Sequence, residues 1–169
     1  EVGKNGDTAV IKYDQTPYAE ITWSTAYGLA KKIITNSEVN SYLCSSYAWD
    51  TAVNFIQNNS TAKNYSTSIE GFYENWNTQE IKDLSGNVIK PAGTSQQLNT
   101  GLTTQFCNIF DMGGNEAEFT TELNPGTSET VVLRGGDYYY PDVPAGYRWD
   151  SLSSRASVNR GFRATLFLK

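Results

Sequence analysis

At 169 residues the chain has the length of one domain and can bury a core without crosslinks. A net charge of −5 and a pI near 4.7 exclude a nucleic-acid backbone or an anionic membrane surface as partner, because the electrostatics repel both. Apolar runs stop at a few residues, so nothing is long enough to insert into a bilayer, and with no histidine and only two cysteines a zinc shell cannot be completed.

Tyrosine supplies 11 of the aromatic residues while charged residues make up only 18%. That balance suits a secreted or displayed surface. With Glu1 first instead of methionine, the chain is expected to be processed, any targeting signal lying outside it. Cys44 and Cys107 leave two readings open, one disulfide or two buried thiols.

In chain order, Thr8 to Tyr13 reads as a strand and Thr16-Pro17-Tyr18 as a turn. Trp23, Ala26, Tyr27, Ala30, Ile33 and Ile34 recur at three- and four-residue steps, which predicts an amphipathic helix. Lys31 and Lys32 suit its carboxyl end. A second helix is predicted from an N-cap at Ser46, with Trp49, Ala52, Val53 and Ile56 as its apolar stripe, stopped by Asn58-Asn59-Ser60. Trp23 and Trp49 are expected in the core. Ser60 to Thr104 reads as a long, partly irregular insertion in which Ile81, Val88 and Ile89 make short strands. Glu118-Phe119-Thr120 opens a further strand. After the turn Asn124-Pro125-Gly126-Thr127, Val131 to Leu133 is an apolar β run ending at Gly135-Gly136, and β structure returns at Phe162, Ala164, Leu166 and Leu168. Helices first and strands last argue for α+β organisation in a single domain.

Four stretches in order carry a resemblance. Asp111-Met112-Gly113-Gly114-Asn115-Glu116-Ala117-Glu118-Phe119-Thr120 resembles the Asn-x-x-Glu-aromatic element of formylglycine-generating-enzyme-like domains. Leu133-Arg134-Gly135-Gly136 is similar to their Arg-Gly-Gly strand, and Gly161-Phe162-Arg163 to their closing Gly-Phe-Arg. Ser41-Tyr42-Leu43, then Trp49-Asp50 and Phe55-Ile56, resembles the second helix of gut-bacterial members. The resemblance implies a C-type-lectin-like fold: two helices packed on small, irregular antiparallel β-sheets with long loops.

The family has an enzymatic branch, which uses a cysteine pair shortly after the Arg-Gly-Gly strand or holds iron with histidines. This chain has no histidine and no cysteine after Gly136, so the resemblance points to the other branch. Those are non-catalytic variable proteins diversified by retroelements, which rewrite the segment between the Gly-Gly and Gly-Phe-Arg strands, here residues 137–160. The implied setting is extracellular display on a cell surface or bacteriophage particle, the implied partner a protein or glycan ligand. No cofactor is implied, although some members hold structural calcium near the turn at Asn115 and Glu118.

The segment's composition agrees. More than half of residues 137–159 are Tyr, Ser, Asp, Trp or Asn, the palette of antibody contact loops, where aromatic rings anchor and short polar side chains adapt. Pro141, Pro144 and Gly146 should break any strand. The expected exposed contact set is Asp137, Tyr138, Tyr139, Tyr140, Asp142, Val143, Tyr147, Trp149, Ser151 and Asn159. Three consecutive tyrosines cannot all enter one core, because successive strand side chains alternate. The bland alternative packs these rings along the sheet. Arg148, Arg155 and Arg163 read as structural, bridging carbonyls and carboxylates, with Asp142 and Asp150 as partners or ligand contacts. Asp111, Glu116 and Glu118 also admit a calcium site, although Asn115 and Glu118 are expected to fix the turn through backbone amides. A residual formylglycine-generating-type oxidase, a calcium-dependent carbohydrate-binding lectin and a structural part of a pilus or tail fibre remain as alternatives.

Overall fold

The computed structural model describes residues 1–34, 36–68, 74–83, 85–103, 105–127, 129–140 and 143–169. The chain opens with a small hairpin, β1 (Gly3–Asn5) and β2 (Thr8–Val10), then forms α1 (Trp23–Ala30), β3 (Val39–Leu43) and α2 (Ser46–Asn59). The insertion carries one short hairpin, β4 (Ile81–Lys82) with β5 (Val88–Lys90), and a second, β6 (Gln105–Phe106) with β7 (Ile109–Phe110), follows it. The last third is β8 (Ala117–Leu123), β9 (Thr130–Arg134), β10 (Arg148–Leu152), β11 (Arg160–Phe162) and β12 (Ala164–Leu168). Among the described residues no helix is long and apolar enough to cross a membrane.

The central sheet runs β10-β9-β8-β11, antiparallel except where β11 lies parallel to β8. β9 occupies its middle, and Val131, Val132 and Leu133 are all buried, as a strand covered on both faces requires. Phe119 and Trp149 flank Leu133 in register on either side. Ala26 and Ala30 of α1 pack here with Phe162, Val2 and Leu43. The small alanine side chains let the helix approach closely. A second core gathers around α2, where Trp49, Val53 and Ile56 meet Tyr65, Met112 and Ala145. Trp49 is fully buried, and Trp23 is half-buried against the first core.

Both helices start on a hydroxyl. Thr22 accepts from the Thr25 amide at 3.3 Å and Ser45 from the Ala48 amide at 3.1 Å. The second cap is therefore Ser45. Ser46, the expected cap, is the first helical residue and turns inward towards Thr120. α1 ends at Ala30, short of the expected Ile33 and Ile34. The buried Ser41 hydroxyl donates to the Ala30 carbonyl at 2.6 Å and accepts from the Ile34 amide at 3.0 Å, so a side chain from β3 satisfies groups that another helical turn would have paired. The strand expected from Thr8 to Tyr13 stops at Val10. The strands at Ile81 and at Val88 and Ile89 form as expected. Cys44 is buried, Cys107 is half-buried, and both are free thiols.

The two cores are joined by polar side chains. Arg163, between β11 and β12, pairs with the buried Glu118 of β8 through its Nε and through Nη2 at 2.6 Å. It also donates to the Phe110 and Asp111 carbonyls at 3.3 and 2.7 Å, and it lies 4.9 Å from the centre of the Trp49 ring. Burial opposes its charge, but the adjacent Glu118 carboxylate wins and raises its pKa above the usual arginine value. Buried Arg134, 5.8 Å from the centre of the Trp49 ring, pairs with Asp50.

Trp49→Ala should cost about 3–5 kcal/mol, the range for a buried aromatic deletion, read as a lowered urea midpoint. Arg163→Met should cost a similar amount, about 3–5 kcal/mol, because it leaves Glu118 buried without its counter-charge. The double variant Arg163→Met, Glu118→Leu should recover part of that loss.

Candidate ligand-binding face

The segment after β9 begins with two glycines in the left-handed region, Gly135 at φ +86° and Gly136 at φ +76°. A Cβ on Gly135 would lie 2.7 Å from the Met112 carbonyl oxygen, and one on Gly136 would lie 2.6 Å from the Val143 Cβ. Only glycine allows both the turn and the close packing. The Gly114 amide donates to the Gly135 carbonyl at 2.8 Å and the Tyr138 amide to the Asn115 carbonyl at 3.1 Å. The Arg-Gly-Gly and Asp-Met-Gly-Gly-Asn stretches thus clamp each other.

Asp137 is fully buried at this corner. One carboxylate oxygen accepts from the Tyr139 and Tyr140 amides at 2.8 and 3.3 Å, and the other from Asn159 Nδ2 at 2.5 Å. Burial raises its pKa, opposed by these donors. The three tyrosines lie in a turn, not a strand, and only the first is buried. Tyr138 turns in and is 6% exposed, whereas Tyr139 and Tyr140 are 48% and 56% exposed. Tyr138 and Tyr139 still stack, with centroids 4.5 Å apart.

The segment is less broken than its prolines suggest. Residues 148–152 form β10, paired with β9 at every position from Arg148↔Arg134 to Leu152↔Thr130. Trp149 and Ser151 point towards the sheet core, while Arg148, Asp150 and Leu152 point outward. The Trp149 ring stays half-buried and meets Tyr140 and Tyr147 edge-on, at centroid distances of 6.0 and 5.6 Å. Tyr147 is 46% exposed. The result is two aromatic groups, the Tyr138–Tyr139 stack and the Tyr140–Trp149–Tyr147 cluster, with Tyr139, Tyr140 and Tyr147 outermost.

Three members of the expected exposed set are therefore buried. Asp137 spends its carboxylate capping the following amides. Tyr138 is turned inward at the start of the turn. Ser151 faces inward and accepts from Arg160 Nη1 at 2.5 Å. Val143 packs on Gly136 and is half-buried, as is Asn159. Asp142 lies outside the described residues. Of the expected structural arginines, Arg163 takes Glu118 and Arg148 pairs with Glu122. Asp150 accepts from Asn124. Asn115 does bond a backbone amide, that of Leu98 at 2.9 Å, but Glu118 serves Arg163 instead.

Sequence reasoning missed the residues that support this face from behind. Trp49 Nε1 donates to the Ala145 carbonyl at 2.8 Å. From the insertion, Asn77 Nδ2 donates to the Tyr139 carbonyl at 2.9 Å, and Gln97 reaches Glu116 and the Val158 carbonyl. Apart from Gln97 to Glu116, these contacts join positions more than 60 apart, and no local pattern announces them. The carboxylates weighed for calcium are separately engaged: Asp111 by the Gly101 amide and Thr103, Glu116 by Gln97, Glu118 by Arg163. Among the described residues no set of three His, Cys, Asp or Glu side chains is arranged to hold a metal.

No protein-family model matches the chain, and no curated protein matches it. Solved structures do. CarF superposes with TM-score 0.60 at 14% identity, over 89% of this chain and 67% of its own. Treponema denticola variable protein 1 gives 0.55 at 17%, over 96% and 60%. PvdO from Pseudomonas aeruginosa gives 0.62 at 15%, over 97% and 70%. The chain thus spans between 60% and 70% of the lengths of these three proteins. At such identities the likeness concerns the fold, which is the expected C-type-lectin-like fold of the formylglycine-generating-enzyme type.

Beneath the Met112-Gly113 turn, the Tyr65 hydroxyl donates to the fully buried Glu74. Burial, partly offset by that bond, pushes the Glu74 pKa up to about 8. A raised carboxyl pKa stabilises the fold while the group is neutral, and this stabilisation is lost as pH rises through the folded value. Urea midpoints should therefore fall between pH 5 and pH 8.5, and Glu74→Gln should flatten that decline while preserving an acceptor for Tyr65.

Proposed function

We propose that this chain is a non-enzymatic ligand-binding domain. Its contact surface is the outward aromatic set Tyr139, Tyr140 and Tyr147 with the edge of Trp149. One observation carries the reading: three large rings are about half exposed while the segment beneath them is fixed by buried Asp137, Ser151 and Arg160 together with half-buried Asn159. Exposed rings on a rigid base lose little entropy when they bind. Residues 137–160 are the segment we assign to diversification by a retroelement, and the fold shared with Treponema denticola variable protein 1 supports that assignment. The ligand is a protein or glycan, met outside the cell on a cell surface or phage particle.

The chemistry of the family's enzymatic branch is disfavoured by the residues themselves. The segment after Gly136 has no cysteine, and burial raises the pKa of Cys44, which works against a reactive thiolate.

On arrays of glycans and bacterial surface proteins, the domain should give a signal that the combined variant Tyr139→Ser, Tyr140→Ser, Tyr147→Ser loses by at least about 100-fold, since aromatic anchors carry most of such affinities. Its melting temperature should hardly move. Equal binding by the variant would refute the assignment, as would unfolding of the variant, which would make the rings structural. At the DNA level, a near-copy of the codons for residues 137–160, differing at adenines and beside a reverse-transcriptase gene, is the expected companion.

A further inference from the structure

A second surface, sharing no residue with the tyrosine face, has the form of a binding trough. Two cavities of about 800 and 420 Å³ meet along Tyr13, Gly101 and Phe110, which line both. The larger volume falls within the range of small-molecule sites. Its floor includes Ile81 and Leu102, and the amide side chains of Gln79 and Gln105 stand at its margin.

Tyr13 is the unusual residue. It is 58% exposed, yet its position is closely fixed. The Asp14 amide donates to the Thr100 carbonyl and the Thr100 amide to the Gln15 carbonyl, both at 2.8 Å. The Thr100 hydroxyl donates to the Lys12 carbonyl at 2.6 Å, and Asn99 Nδ2 to the Asp14 carboxylate at 2.9 Å. The ring then lies on Gly101, where a Cβ would come within 2.9 Å of it. Gly101 is itself held by the buried Asp111, which accepts its amide at 2.6 Å. One face of an aromatic ring is thus seated on backbone and the rest is presented to solvent, with no share in either core.

Lys82 pairs with Glu80 at 3.1 Å, while the Asp83 carboxylate keeps its charge as it accepts from the Ser85 and Asn87 amides. The lining of the larger cavity therefore carries one excess negative charge, which disfavours a polyanion. A compact apolar ligand would be left largely uncovered in a trough open along its length. A sugar ring has an apolar C–H face that stacks on an aromatic ring, and hydroxyls that bond to amides and carboxylates. The two cavities, adjacent through their shared lining residues Tyr13, Gly101 and Phe110, suit a chain of such rings.

We propose that this trough binds a neutral oligosaccharide, with Tyr13 as the stacking platform. The proposal is independent of the ligand assigned to the tyrosine face, so either can fail alone. The test is affinity electrophoresis followed by calorimetry with laminarin, xyloglucan, galactomannan and arabinoxylan, with polygalacturonate and chitosan as charged counterparts. At least one neutral polymer should retard the domain. Tyr13→Ala should weaken that binding roughly tenfold or more and Tyr13→Phe should keep it, because the ring face remains. Gln105→Ala, on the opposite margin, should weaken it as well. The combined Tyr139, Tyr140 and Tyr147 variant should bind the polymer unchanged. The proposal is overturned if no neutral polymer binds, if the charged polymers are preferred, or if binding ignores Tyr13→Ala and Gln105→Ala. Loss of polymer binding in the tyrosine-face variant overturns it too.

Discussion

The Arg163 guanidinium lies between the Glu118 carboxylate and the Trp49 ring, and four stretches of chain meet there. Glu118 belongs to β8, Arg163 to the link between β11 and β12, Trp49 to α2, and the Phe110 and Asp111 carbonyls to the end of β7. An arginine suits this position because its planar donors serve several acceptors at once while its flat face covers an aromatic ring. The pair is buried, and buried ion pairs add less to stability than their geometry suggests. Their stronger effect is on uniqueness: with Glu118 taken out of water, few other packings of the sheet against α2 would give it a partner.

From that junction the order passes outward. Trp49 touches Arg163 on one side and holds the Ala145 carbonyl on the other, so the helix that closes the second core also positions the middle of the proposed contact segment. Asp137, Asn159 and Arg160 fix its two ends. The exposed rings therefore sit on a base held in place by the protein's own hydrogen bonds. Such a base separates folding from binding. The groups that specify the fold face inward, and Tyr139, Tyr140 and Tyr147, the rings proposed to meet a partner, belong to neither core.

Short-range chemistry in the sequence disclosed the two helices, the apolar β9, the paired glycines and the closing Gly-Phe-Arg strand, because each depends on residues close together along the chain. The fold followed from four such stretches in order. Burial at Asp137, Tyr138 and Ser151 was not legible, since alternation says that neighbours face opposite ways and not which way faces the core. Nor was β10. Its prolines and glycine precede it without interrupting it, and its pairing with β9 is a tertiary fact. The insertion looked like decoration because it is poor in apolar residues. Its Asn75, Asn77 and Gln97 nonetheless bond to Asn115, the Tyr139 carbonyl and Glu116, and amide side chains leave no periodicity to detect.

The inward placement of Asp137, Ala145, Ser151 and Arg160 divides residues 137–160 into two interleaved sets with opposite tolerances. A combinatorial library spread evenly over this stretch would spend much of its diversity on misfolded clones, since a random substitution at Asp137 strips the cap from two amides. Restricting variation to positions 139, 140 and 147 would trade theoretical diversity for a far higher yield of intact clones. In that sense the pattern of burial along the segment sets the usable size of any repertoire built on this scaffold.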